Sequence, residues 1–385
     1  MKRRSFLKAG CACGASLIPG LAQAQAESDW QVPLRFAKPD VSTDEGGLWA
    51  IMDREETKLR RSPFTIRDAS LRGYVHDIAC RLGGEHCPDI RVHLVRTPLF
   101  NASMSPNGMM QVWSGLMLRM ENEAQLAAML GHEIGHYLAR HSVERLRDAK
   151  SRSAFAQFLG LFGLIGAVGQ LATLAGAFAY SRDHERQADS IGLMLMRKAG
   201  YDPAEAAKVW DNLLVEIKAK PGGDPATNPM FATHPEPEER KETLMRLAEA
   251  SPGGVTNERA WQKETGPFRS EWLSDEIKRG QHEESLALLT RMIERTPSQA
   301  EYRYARAEVY RLRAKESDLD AAIADYGAAV ILGAEPPETH RGLGMIYRSR
   351  NQSAEAMTSF KRYLQLAPEA PDFAIIKSYL EEEGT

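Results

Sequence analysis

A chain of 385 residues with 43% hydrophobic content is too long for one ordinary domain and apolar enough to bury a real core, which excludes a globally disordered protein. Its formal net charge is −3, with no basic run of the kind that recommends nucleic acid as a partner. The first 26 residues hold four basic side chains and no acidic one, so removing them takes the charge from −3 to −7.

That opening segment, "MKRRSFLKAGCACGASLIPGLAQAQA", has a basic start, an uncharged stretch and small-x-small endings at Ala24 or Ala26, the layout of a cleaved export signal. "RRSFLK", Arg3 to Lys8, resembles a twin-arginine signal, which exports folded proteins. Lys8 stands where a lipoprotein signal needs an apolar residue before Cys11, so no lipid anchor is expected. The expected location is the periplasm. Cys11 and Cys13 would leave with the signal, and the two remaining cysteines, Cys80 and Cys87, read as one local disulfide in an oxidising compartment. Closing so short a loop stabilises by about 2–3 kcal/mol. A zinc site there lacks ligands, because His86 alone does not complete a set.

Residues 27–43 form a polar lead-in, and residues 45–61 and 65–82 carry helical patterns. In the second, Ile66, Leu71, Tyr74, Val75, Ile78 and Leu82 make an apolar face that Gly83-Gly84 ends. "IRVHLV", 90–95, alternates as a half-buried strand, and 101–115 reads as a turn-rich strand segment. One helix is expected from about Glu121 to Arg147. Residues 154–179 contain no charge and are long enough to span a bilayer. Helices follow at about 182–199, ended by Gly200, and from Asp202-Pro203 to about Lys220; residues 221–240 read as a long loop. From about 270 the pattern becomes paired helices with a period near 34–37 residues. Leu343, Gly344, Tyr347, Ala356, Phe360 and Pro368 stand at the spacing of a tetratricopeptide repeat, and Tyr310, Ala322 and Tyr326 repeat part of it. Residues 271–297 are a degenerate first copy and 372–383 a capping helix. Such arrays present a concave binding surface.

The chemistry centres on "GHEIGHYLARH", Gly131–His141. His132 and His136 lie four apart, so on a helix both rings leave one face and can ligate one zinc, with Glu133 close enough to take a proton from water. With this histidine content the pattern arises by chance roughly 0.02 times per chain of this length. The apolar "NEAQLAAML" before it marks a buried helix, where two histidines and a carboxylate need compensation. A third ligand must come from elsewhere. His141 stands one residue short of the spacing that a metzincin requires, which leaves a glutamate from a later helix. "SRDHERQADSIG", 181–192, supplies Glu185 as ligand and Asp189, one turn on, to hold the outer nitrogen of a ligating histidine. Ala188 and Gly192 are small enough for the two helices to approach closely. Residues on both sides of 154–179 that share one metal cannot lie on opposite faces of a bilayer, so that stretch is expected to fold back as a hairpin, against protein or peripherally against a membrane.

These segments, with "NAS" at 101–103, "WSGL" at 113–116 and "THPEPEER" at 233–240, resemble the HtpX, CAAX-prenyl-endopeptidase and Oma family of gluzincin metallopeptidases over roughly 45–250. With the export signal and repeats, the chain is similar to the periplasmic branch of that family that serves outer-membrane assembly. The resemblance implies a mostly α protein: an α+β zincin (gluzincin) peptidase domain over 27–255, after the signal at 1–26, and an α-solenoid of tetratricopeptide repeats over 256–385. It implies one Zn2+ per chain and zinc-dependent cleavage of polypeptide substrates, with outer-membrane assembly machinery as a partner through the repeats. It also implies a catalytic role for His234, as a switchable metal ligand or transition-state stabiliser, and a supporting one for Arg240. The stretch Asn101, Ala102 to Gly108 becomes the edge strand that pairs with substrate. His93, His141 and His184 are read as structural or surface residues. The competing expectation is a chaperone or scaffold module with latent protease activity.

Overall fold

The computed structural model describes residues 30–148, 180–223, 228–235, 237–250 and 252–383. The export signal expected at 1–26 and the hairpin expected at 154–179 lie outside them. Among the described residues no helix is long and apolar enough to cross a membrane.

Helix α1 (Asp44–Arg61) starts where the Thr43 hydroxyl accepts from the Gly46 N–H, with Asp44 and Glu45 in its first turn and Lys58, Arg60 and Arg61 in its last. It buries Leu48, Met52 and Leu59. The helix expected over 65–82 begins later. Asp68, in extended conformation, caps helix α2 (Ala69–Gly83) by accepting from the Leu71 N–H. β-Branched Thr65 and Ile66 form strand β1 instead, paired antiparallel with Val95 and Leu94 of β2 (Arg91–Val95). After α2, Cys80 and Cys87 are joined by a disulfide that ties its last turn to the 3-10 turn Gly84–Asp89.

Strands β3 (Ala102–Met104) and β4 (Met109–Trp113) complete a four-stranded sheet in the order β1-β2-β4-β3. β2 and β4 are parallel, β3 and β4 antiparallel, so β3 is an outermost strand. Gly108 turns the β3–β4 hairpin with φ 86°, and a Cβ there would fall 2.1 Å from the Asp89 carbonyl oxygen. Short helix α3 (Ser114–Arg119) leads to α4 (Glu123–Leu138), which Asn122 caps and whose every residue is buried.

The helix expected to run from Glu121 to Arg147 is two helices. Arg140 takes a left-handed conformation, φ 62°, which ends α4, and its carbonyl accepts from Val143 and Glu144 to start α5 (His141–Asp148). A non-glycine residue accepts that conformation only with compensation. Here the Arg140 guanidinium pairs with Glu45 and lies 4.9 Å from the Phe36 ring centroid.

Beyond lie α6 (Arg182–Lys198) and α7 (Ala204–Ala219). The region expected as a loop over 221–240 is partly helical, with α8 (Pro229–Thr233) before His234 and α9 (Pro237–Glu249) after it. Asn228 caps α8 through the Met230 N–H. Buried Glu123 gathers this half, accepting from Tyr74, Tyr201, Arg81 and Asn257 at 2.5–2.9 Å.

The remainder is helical: α10 (Glu258–Thr265), then the pairs α11 (Arg269–Lys278) with α12 (His282–Arg295), α13 (Ala300–Arg313) with α14 (Asp318–Leu332), and α15 (Glu338–Ser349) with α16 (Ser353–Leu366), closed by α17 (Phe373–Glu383). The repeat positions explain the stacking. Ala322, Tyr326, Leu343 and Ile346 form one core cluster, and Ala356, Phe360, Tyr363 and Ile376 the next. A Cβ on Gly344 would meet the Phe360 ring at 2.4 Å. The described residues from 35 onward form one compact unit, so the helix pairs pack on the sheet-bearing half. The buried Trp261 indole donates to the Met120 carbonyl at 2.8 Å.

Candidate metal centre

His132 and His136 sit one turn apart on α4, and Glu185 lies in the first turn of α6. What brings them together is the absence of side-chain bulk between the two helices. A Cβ on Gly135 would lie 2.8 Å from the Ala188 carbonyl oxygen, and one on Gly131 would lie 3.2 Å from that of Gly192. The backbones touch, and the polar faces beside the seam meet.

The donor atoms converge. His132 Nε2 is 3.0 Å from His136 Nε2, and Glu185 lies 3.5 Å from the first and 3.4 Å from the second. His234, just after α8, brings Nδ1 to 3.2 Å from His132 Nε2 and 3.1 Å from Glu185. Four donors tetrahedral about zinc at about 2.0–2.1 Å stand roughly 3.3 Å apart, so these separations suit a divalent metal. All four residues are at most 3% exposed.

Protonation states agree with that reading. Burial lowers the His132 pKa to about 4 and puts His136 well below the ordinary histidine range, so both imidazoles are neutral and keep a free lone pair. Burial opposes ionisation of Glu185, but His234 and Arg240 outweigh it and hold the carboxyl well below its usual range. His132 Nδ1 lies 2.9 Å from Asp189 and 3.0 Å from Arg240 Nη2; the carboxylate, which only accepts and is the nearer of the two, favours the proton on that nitrogen and leaves Nε2 toward the cluster. Arg240 braces the ring of carboxylates, donating to Asp189 at 2.6 and 2.9 Å and pairing with Glu185 at 2.9 Å.

Glu133 is 2% exposed, and burial raises its pKa to about 7. Its Oε1 lies 3.5 Å from His234 Nε2 and has no hydrogen-bond partner. An ionisable carboxyl left half unsatisfied at a buried cluster is poised to exchange a proton with something that enters. The backbone N–H of Met104 in β3 bonds the same carboxyl, so the outer strand ends beside it. Ala102 lies in β3 and Asn101 directly before it, while Gly108 sits in the hairpin turn and accepts from the Arg91 N–H.

Two features escaped the sequence reading. His141, set aside there as structural or surface, is 1% exposed, and its Nδ1 lies 2.9 Å from His136 Nδ1. The break at Arg140 swings it back over the motif, and spacing alone gives no sign of that. Tyr180 stacks on the His136 ring with centroids 3.9 Å apart. By contrast His93 bonds Glu56, remote from the cluster in the sheet, and His184 stacks on His141.

Residues 65–248 match the family described as Peptidase family M48. The chain is 34% identical over 153 residues, 40% of its length, to the mitochondrial metalloendopeptidase OMA1 of Arabidopsis thaliana. It is 28% identical over 225 residues, 52% of its length, to the beta-barrel assembly-enhancing protease of Escherichia coli. To the protein of that name in Yersinia pestis it is 26% identical over 248 residues, 58% of its length. The matched stretches span 30%, 45% and 50% of those relatives' own lengths. The histidine pair and glutamates of the cluster all fall inside the matched region, and this chain therefore carries a peptidase family M48 domain.

Proposed function

We propose that this chain is a zinc-dependent endopeptidase of the bacterial cell envelope, with His132, His136 and Glu185 holding one Zn2+ per chain. The observation that carries the reading is the convergence of three imidazoles and one carboxylate at 3.0–3.5 Å beside buried Glu133. Neutral imidazoles with one carboxylate suit zinc better than the oxygen-preferring cations. Zinc supplies Lewis-acid activation of water and of the scissile carbonyl when bound. Glu133 takes the proton from the attacking water and returns it to the leaving amine, a role that its raised pKa favours. Asp189 and Arg240 fix the orientation of His132 and Glu185. β3, with Asn101 and Ala102 at its start and Gly108 closing its hairpin, pairs with an extended stretch of substrate through main-chain hydrogen bonds. That recognition favours unstructured polypeptide over folded protein.

The division into a peptidase domain at 27–255 and tetratricopeptide repeats at 256–385 belongs to the same proposal, with the helix pairs holding clients. Two relatives are named for β-barrel assembly, which supports misfolded or unassembled outer-membrane proteins as clients and the assembly machinery as partner. The signal-like residues 1–26 support a periplasmic location, and 154–179 a peripheral membrane contact. A second reading, a chaperone or scaffold with a latent protease, is favoured by His234, whose Nδ1 lies 3.1 Å from Glu185 and stands where a fourth donor belongs.

Zinc content and casein cleavage, measured on wild type, His132→Ala and His234→Ala, test both. The endopeptidase reading expects one zinc and measurable cleavage in the wild type and loss of both in His132→Ala, whereas cleavage that emerges only in His234→Ala marks the protease as latent. Negligible cleavage in wild type and His234→Ala alike, with tight binding of an unfolded outer-membrane protein, would establish the scaffold reading instead.

A further inference from the structure

We infer that His141 and Gln187 form an outer hydrogen-bond chain that sets the orientation and tautomer of His136 and so governs how tightly the metal is held. The inference rests on His136 being a ligand through Nε2. Three facts carry it. His136 Nδ1 and His141 Nδ1 are 2.9 Å apart, His141 Nε2 and Gln187 Oε1 are 2.9 Å apart, and His141 is buried with its ring stacked on His184 at 4.3 Å between centroids.

Two nitrogens at hydrogen-bond distance need one proton between them, so the chain has two polarities. In one, His136 Nδ1–H donates to His141 Nδ1, and His141 Nε2–H donates to the Gln187 carbonyl oxygen. His136 Nε2 is then a lone pair, as a metal ligand requires. In the other, every proton moves to the opposite side: the Gln187 amide turns and donates, His141 Nδ1–H donates to His136, and His136 Nε2 carries a proton that blocks the metal. A glutamine can serve either polarity, since it owns both an acceptor and a donor. His132 is held differently, because its outer nitrogen lies 2.9 Å from the Asp189 carboxylate, which only accepts, and 3.0 Å from the Arg240 guanidinium that is itself bound to that carboxylate. The two ligating histidines are thus held by unequal partners, one fixed and one reversible. His141 and Gln187 are positioning residues, reaching the site only through His136.

The test is zinc affinity, by competition with a chromogenic chelator, on the full chain and three variants. Outer partners of ligating histidines are worth roughly 10–100-fold in metal affinity. His141→Phe, which keeps a ring but removes the acceptor, is expected to weaken zinc by that factor, and His141→Asn, with an oxygen near the lost nitrogen, to recover most of it. Gln187→Glu can only accept, so it holds the metal-ready polarity and binds zinc at least as tightly as wild type. Gln187 is exposed, which keeps this variant folded. Long-range 15N–1H NMR of the zinc-loaded protein should show His136 protonated on Nδ1 and His141 on Nε2. Unchanged affinity in a folded His141→Phe, or a His141 proton on Nδ1 in the loaded protein, would overturn the inference while leaving the zinc site intact. Failure of the wild type to bind zinc would overturn both.

Discussion

Arg240 and Glu56 each show a buried charge held by named partners, one at the site and one remote from it. The Arg240 guanidinium meets Asp189 and Glu185 and lies 4.0 Å from the Trp210 ring centroid. Replacing it by leucine leaves two buried carboxylates uncompensated, which costs about 3–5 kcal/mol. We expect a clear fall in Tm and in zinc content for Arg240→Leu, with Arg240→Lys between it and wild type because the charge survives but the fork does not. Glu56 accepts from Arg91 at 2.7 Å and Arg60 at 2.6 Å, and lies 2.9 Å from His93. Burial works against its ionisation, but His93, Arg91 and Arg60 prevail and hold its carboxyl well below the usual range. A folded-state pKa below the unfolded value of about 4.3 means that the stabilisation is present above that value and is lost as pH falls beneath it. Urea unfolding midpoints should therefore drop between pH 6 and pH 3 in wild type, and less steeply in Glu56→Gln, which starts lower at pH 6. An equal slope in both would rule Glu56 out as a source of the acid sensitivity.

The α4–α6 seam is where an element's geometry makes the site. Gly135→Ala drives a Cβ to 2.8 Å from the Ala188 carbonyl, and that backbone cannot step aside without moving α6. We expect a loss of about 1–3 kcal/mol and reduced zinc affinity, as Glu185 shifts away from the histidines. Gly73 in α2 is the contrast, since a Cβ there meets nothing within 4 Å. Gly73→Ala should raise stability by about 0.5–1 kcal/mol and leave zinc binding unchanged. Thermal melts with parallel zinc titrations separate the two. The pairing of His132 with His136 was legible in the sequence because four-residue spacing has one meaning on a helix, and Glu185 and Asp189 followed from the same periodicity. The apolar repeat positions likewise foretold the helix pairs. What could not be read was where periodicity stops. Arg140 ends α4 without a glycine or proline to announce it, held by Glu45, 95 residues away in sequence. Asp68 began a helix that the apolar pattern had placed three or four residues earlier, because a cap outranks a hydrophobic match. His141 gained its place only through the Arg140 turn.

Across the whole molecule, the sheet-bearing half and the helix pairs are joined by buried charge. Arg119 of α3, 5% exposed, donates to Glu216 of α7 at 2.7 Å and to Glu276 of α11 at 3.0 Å. Glu216 also accepts from Arg291 of α12, and Glu276 from Arg279 and Ser285. No periodic pattern foretells a partnership among residues that are 97 and 157 positions apart. Arg119→Met should lower stability by about 3–5 kcal/mol and loosen the helix pairs against the remainder, seen as faster amide exchange in α10 and α11. Exchange unchanged there would show that apolar packing alone holds the two together. The proposed activity requires that His132, His136 and Glu185 hold one zinc and that Glu133 carry the proton during cleavage of polypeptide. Cleavage of an unfolded β-barrel protein by Glu133→Gln, beside wild type and with zinc measured in the same samples, tests it most directly. One zinc in each protein with cleavage slowed roughly 100–10,000-fold in Glu133→Gln is the predicted result, and equal cleavage by the two proteins would contradict it.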